Sequence, residues 1–202
     1  MKKFTRAALM MLVLAGLPSC LPAQKKERSQ AMPAGFQEYT SDGAFFTAQI
    51  PTGWDKNESI SEGRLNREFG VSLQGPESKD GAYLRITLLY YAKDHPRFKT
   101  VEKYLRLNSR PDPLLTVKGE TYGPVTPIVV AHRPAKQFER RTFDFIPPYG
   151  VDPEKVPIYE YRVVFPGKKE GMYVLIYHAP EDLKSGSIGV FKKIMASFKP
   201  AR

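Results

Sequence analysis

From Phe36 onward, apolar and polar residues alternate with a period of two along most of the chain. Tyr83 to Tyr91 (YLRITLLYY) is the strongest such run, with Leu84, Ile86, Leu88 and Tyr90 on one face. Its other face (Tyr83, Arg85, Thr87, Leu89, Tyr91) is also largely apolar, which predicts a central strand covered on both sides. Further strands are predicted over Phe36 to Thr40, Ala44 to Ile50, Val71 to Gln74, Leu114 to Thr121, Val125 to Ala131 and Lys136 to Phe145. Ser41-Asp42-Gly43 has turn chemistry between the first two. Ile158 to Phe165 and Met172 to His178 predict a hairpin around Pro166 to Gly171.

Two stretches switch to helical spacing. Thr100 is a candidate cap for a helix over Val101 to Leu107, with Glu102 in the favourable first turn. Between Ser187 and Phe198, the residues Ile188, Phe191, Ile194, Met195 and Phe198 fall on one face and Lys192 and Lys193 on the other. Ile146 to Pro157 (IPPYGVDPEKVP) has no periodicity and reads as a Pro-rich loop. Strands, a short helix, more strands and a last helix make an α+β domain, an antiparallel sheet with helices packed on it.

The first residues follow a different pattern. Lys2, Lys3 and Arg6 precede an uncharged apolar run, Ala7 to Leu17, that is too short to span a bilayer. It fits the apolar region of a signal peptide. Leu17-Pro18-Ser19-Cys20 then resembles a bacterial lipobox, with Pro18 a departure from the usual small or aliphatic residue there. That resemblance implies cleavage before Cys20, acylation of its thiol and a lipid anchor in the membrane. The expected organisation is a signal over 1–19, a lipid-anchored polar tether over 20–35 and an α+β domain over 36–199. The expected location is the cell envelope, on the periplasmic face of the outer membrane.

Composition narrows the chemistry. Cys20 is the only cysteine, so an internal disulfide and a Cys-based zinc or iron–sulfur site are excluded. The net charge is +10, and only three of the positive charges lie in the signal. A basic domain fits an acidic-surface partner, an anionic membrane or an acidic envelope protein, as well as a solvated surface with no partner. Export makes nucleic acid the least fitting of the anions.

Three stretches together resemble the PsbP-like family, an α/β/α sandwich found in thylakoid-lumen proteins and bacterial envelope lipoproteins. They are Tyr39 to Phe46 running into Ile50-Pro51-Thr52-Gly53-Trp54, Val125 to Phe143, and Phe191 to Phe198. The resemblance implies binding or assembly roles without known catalysis, and it carries over no ligand residue. Against it, Ile146 to Pro157 reads as an insertion.

Candidate catalytic residues are scarce. His95, His132 and His178 are the only histidines, and none sits at a close metal-ligand spacing. His178 ends a strand near Glu181 and Asp182, so a strand-end histidine and an acid–base group are both open there. Asp112, Asp144, Asp152 and Glu154 flank loops and read as surface acids. No nucleophile elbow or phosphate-binding loop occurs. No cofactor, metal site or catalytic residue is assigned, and the chain is not expected to be an enzyme. Seven strand tyrosines (Tyr83, Tyr90, Tyr91, Tyr159, Tyr161, Tyr173, Tyr177) fit either a core or an aromatic groove. Three functions follow as expectations: a non-enzymatic envelope lipoprotein that binds or assists assembly, a carrier of a small hydrophobic ligand, or an envelope hydrolase.

Overall fold

In the computed structural model, residues 32–112 and 117–201 are described. The signal, Cys20 and most of the tether lie outside them. Eight strands make one antiparallel sheet and three make a smaller one. The small sheet pairs β1 (Phe36–Thr40) with β2 (Phe46–Pro51), and β2 in turn with β11 (Lys199–Pro200). The large sheet runs β3 (Asp55–Asn57), β4 (Glu68–Glu77), β5 (Tyr83–Tyr91), β10 (Met172–Pro180), β9 (Glu154–Pro166), β8 (Arg133–Ile146), β6 (Thr121–Tyr122). A further strand, β7 (Thr126–Val130), also pairs with β8. Three helices complete the fold: α1 (Ile60–Asn66), α2 (Val101–Asn108) and α3 (Glu181–Ser197).

The period-two pattern decides which side each residue faces. Leu84, Ile86, Leu88 and Tyr90 of β5 join Tyr173, Leu175 and Tyr177 of β10 on one face. There they pack beneath α3 and the small sheet, against Phe191, Ile194, Phe198, Phe46 and Ile50. Phe46 and Phe198 stack with ring centres 4.9 Å apart, tying the small sheet to the end of α3. Each such buried aromatic stabilises the fold by about 1.5–3 kcal/mol. On the opposite face Tyr91, Val164, Met172, Val174 and Phe138 form a second core with Tyr104 of α2. β5 is thus covered on both sides, as its sequence predicts.

The Thr100 hydroxyl caps α2, accepting the backbone N–H of Lys103 at 3.1 Å. Gly43 makes the first turn with φ of 72°, and Gly53 follows Pro51 with φ of 80°. Trp54 then covers the sheet by lying against Gly75, where a Cβ would come within 2.8 Å of the indole.

Several expectations change. Leu114 to Thr121 is not a strand over its described part: 117–120 form a turn, and only Thr121–Tyr122 pairs. Ile146 to Pro157 is not one irregular loop. It is the tip of a long β8–β9 hairpin, with Ile146 opposite Glu154 and Phe143 opposite Pro157. α3 begins at Glu181, six residues before Ser187. α1 and β3 carry no buried residue and left no apolar period to read.

Candidate functional site

Strand pairing sets a row of polar side chains across the α2 face of the large sheet. Arg85 of β5 lies opposite His178 of β10, His178 opposite Glu160 of β9, and Glu160 opposite Arg140 of β8. Directly opposed side chains in a sheet are within reach of each other. Two more groups join the row: Asp144 from further along β8 and Arg162 from two residues after Glu160. On one side of the row lies the core under α2. On the other, Ala82, Val156 and Ile158 form a small buried cluster with Ile146 against it.

Glu160 is the centre. Its side chain is 5% exposed, and it accepts from Arg140 Nε at 2.5 Å and from Arg162 Nε at 2.9 Å. Its other oxygen lies 3.0 Å from His178 Nδ1. Burial alone would raise the carboxyl pKa. The His178 hydrogen bond and the two guanidiniums reverse that and hold it well below the ordinary value. Arg162 also donates to the Tyr104 hydroxyl at 3.0 Å and to Asn108 Oδ1 at 2.9 Å, fastening α2 to the row.

His178 Nε2 lies 3.0 Å from Asp144 Oδ2 and 2.7 Å from Arg85 Nη2. Arg85 Nη2 also donates to the same Asp144 oxygen at 2.9 Å. Arginine only donates, so its contact requires Nε2 to accept, whereas a contact with carboxylate requires Nε2 to carry a proton. The two are alternatives. With a neutral ring, Nδ1–H donates to Glu160 and Nε2 accepts from Arg85. With an imidazolium, both nitrogens donate to carboxylates and Arg85 loses one acceptor. Burial disfavours the imidazolium, but the hydrogen bonds to Asp144 and Glu160 outweigh it and raise the His178 pKa. For Asp144, burial is likewise outweighed, here by His178 and Arg85, and its pKa is lowered.

A surface cavity of about 670 Å³ opens beside Arg85 and Asp144. Its walls come from Tyr83 of β5 and from Phe143 to Tyr149 at the hairpin tip. Beyond it, Tyr149 and Val151 stand fully in solvent. A second cavity, about 800 Å³, lies between the start of α2 and the β7–β8 hairpin, lined by Val101, Pro127, Val129 and Val164 among others.

The site residues read from the sequence fare differently. Cys20 lies outside the described residues. Glu181 pairs with Arg141 at 3.2 Å and is not the partner of His178. Asp144 is not an isolated surface acid but part of the row. His95 is buried, its Nδ1 accepting the backbone N–H of Arg97 and Phe98, and is structural. His132 is exposed in the β7–β8 turn with φ of 59°. Of the seven strand tyrosines, Tyr90, Tyr91, Tyr159, Tyr173 and Tyr177 are buried. Among the described residues no group of His, Asp and Glu is placed to hold a metal ion, and no helix is long and apolar enough to cross a membrane. The row had a sequence signal that periodicity passed over: charged or titratable residues within largely apolar strands, Arg85 in β5, Glu160 and Arg162 in β9, and His178 in β10.

No family model matches the chain, and no curated protein matches it. Among solved structures it is similar to the solution structure of cyanobacterial PsbP (CyanoP) from Synechocystis, with a TM-score of 0.50 and 14% identity. The match covers 84% of this chain and 95% of that one. At this identity the likeness speaks for the fold, and the fold is PsbP-like: an α+β sandwich of antiparallel sheets and packed helices.

Proposed function

We propose that this chain is a non-enzymatic accessory protein of a bacterial envelope, lipid-anchored through Cys20, that binds a partner protein through the tip of the β8–β9 hairpin. The observation that carries the reading is the tip itself. Tyr149 and Val151 are 101% and 107% exposed, an apolar pair held out on a hairpin whose two strands are otherwise paired into the sheet. Exposed aromatics at a loop tip supply contact area to a partner at low entropic cost. The PsbP-like fold supports a general accessory role, since the family resemblance implies binding and assembly without known catalysis. The row does not favour hydrolysis. His178 is 12% exposed at its side chain and is engaged by two carboxylates and a guanidinium, with no hydroxyl nucleophile among its partners.

Photo-crosslinkers placed at Tyr149 and at Val151 in intact cells test the reading. The expected result is one protein adduct shared by both positions and missing from a control position on the exposed face of α3, such as Lys192. Adducts no different from the control would overturn it. The anchor is tested separately: Cys20→Ala moves the protein from membranes to the soluble fraction or leaves it at precursor mass, and unchanged fractionation and mass would refute acylation.

The cavity at the start of α2 favours a second reading, a carrier of a small hydrophobic ligand. A bound small molecule in the native mass spectrum of the protein purified without added lipid is what that reading expects.

A further inference from the structure

The cavity at the root of the hairpin tip combines a guanidinium with aromatic walls, and we infer that it recognises a carboxylate carried on an apolar or aromatic body of the partner protein. The inference rests on the proposed partner binding and gives its chemistry. Arg85 is the recognising group. Its side chain is 43% exposed and lines the cavity. Both of its hydrogen bonds pass through Nη2, so the Nε–H and Nη1 donors remain for a further acceptor. A guanidinium with part of its fork still open matches the two oxygens of a carboxylate.

Charge is spread unevenly along the row. Within the row, three guanidiniums (Arg85, Arg140, Arg162) meet two carboxylates (Asp144, Glu160). Arg140 and Arg162 are committed to Glu160. Those two share one carboxylate, so the excess positive charge lies beside Glu160, while Arg85 is matched by Asp144 and would meet a ligand through its open Nε–H and Nη1 donors. The other charged groups of the rim are engaged. Glu77 accepts from the Tyr83 hydroxyl at 2.8 Å, and Lys155 donates to the Lys118 carbonyl while lying 3.7 Å from the Phe143 ring centre. Phe143 and Phe145 supply the apolar wall, with the solvent-exposed Tyr149 at its outer rim. A bare inorganic anion would leave that wall unused, and an uncharged aromatic would leave the Nε–H and Nη1 donors of Arg85 unused.

The probes are N-acetylphenylalanine, with its free carboxylate, and the matching amide, titrated into the full-length protein and followed by NMR shifts at Tyr149. The acid is expected to bind saturably, and the amide about tenfold more weakly, the size of one charge-assisted hydrogen bond. Arg85→Gln should bring the acid down to the level of the amide, while Arg85→Lys retains part of the difference. Tyr149→Ser, at a solvent-exposed position, should weaken both probes together. Equal binding of acid and amide, an acid affinity unmoved by Arg85→Gln, or no saturable shift would each overturn the inference. None of these outcomes depends on the crosslinking result, so the two readings fail separately.

Discussion

Glu160 makes its fold depend on its charge. A carboxylate that is 5% exposed and held by His178, Arg140 and Arg162 leaves the two largely buried guanidiniums without their carboxylate when it is neutralised. Glu160→Gln should therefore destabilise by about 3–5 kcal/mol, read from the urea midpoint at neutral pH. The pH dependence has two limbs. Glu160 and Asp144 titrate below their unfolded values, so their stabilisation is present above the ordinary carboxylate range, about pH 4, and is lost as pH falls through the folded pKa values. His178 titrates above its unfolded value. Its contribution is full below about pH 6.5 and is lost as pH rises through the folded pKa. Urea unfolding should thus show stability falling as pH rises above about 6.5, a decrease that His178→Gln abolishes. Little of this was legible in the sequence. Glu181 and Asp182 stand closest to His178 along the chain, but the helix they open turns Glu181 toward Arg141, while pairing across three strands brings Asp144 and Glu160 to the histidine instead.

At the scale of elements, legibility followed burial. β5, the β9–β10 hairpin and α2 each bury a regular stripe, and their sequences predict them closely. α1 buries nothing and contains Gly63, so no period marks it. The first turns of α3 carry Ser185, Gly186, Ser187 and Gly189, poor helix formers. What holds them is tertiary: the Tyr177 hydroxyl of β10 lies 2.6 Å from the Ser187 hydroxyl and 3.2 Å from the Lys184 carbonyl. Two substitutions test single elements. Thr100→Ala removes the cap of α2 and should cost about 1 kcal/mol in chemical denaturation. Gly70→Ala would set a Cβ 1.9 Å from the Leu88 carbonyl, forcing β4 away from β5. It should cost on the order of 3 kcal/mol and increase amide exchange in both strands.

Across the whole molecule, the large sheet separates two surfaces. The chain enters through β1 in the small sheet, packed with α3 on one face, while the polar row lies on the other. Residues 32–35, leading into β1, therefore meet the domain on the side away from the row. The end of the chain returns to the entry side. Lys199 and Pro200 pair with Thr47 and Phe46, and the Ala201 N–H donates to the Phe45 carbonyl at 2.7 Å. Removing residues 199–202 gives up these backbone hydrogen bonds and should lower stability by about 2 kcal/mol, visible in the denaturant midpoint.

That closing strand also orders folding in time. β2 is the middle strand of its sheet, and one of its neighbours is made about 150 residues later. Until then the first hairpin waits with an open edge, and Phe46 lacks the aromatic ring it stacks on. A layer that cannot close before residue 199 emerges stays open while the whole of the large sheet is being made. Late completion of that kind leaves the early hairpin in need of protection from pairing with a neighbour meanwhile.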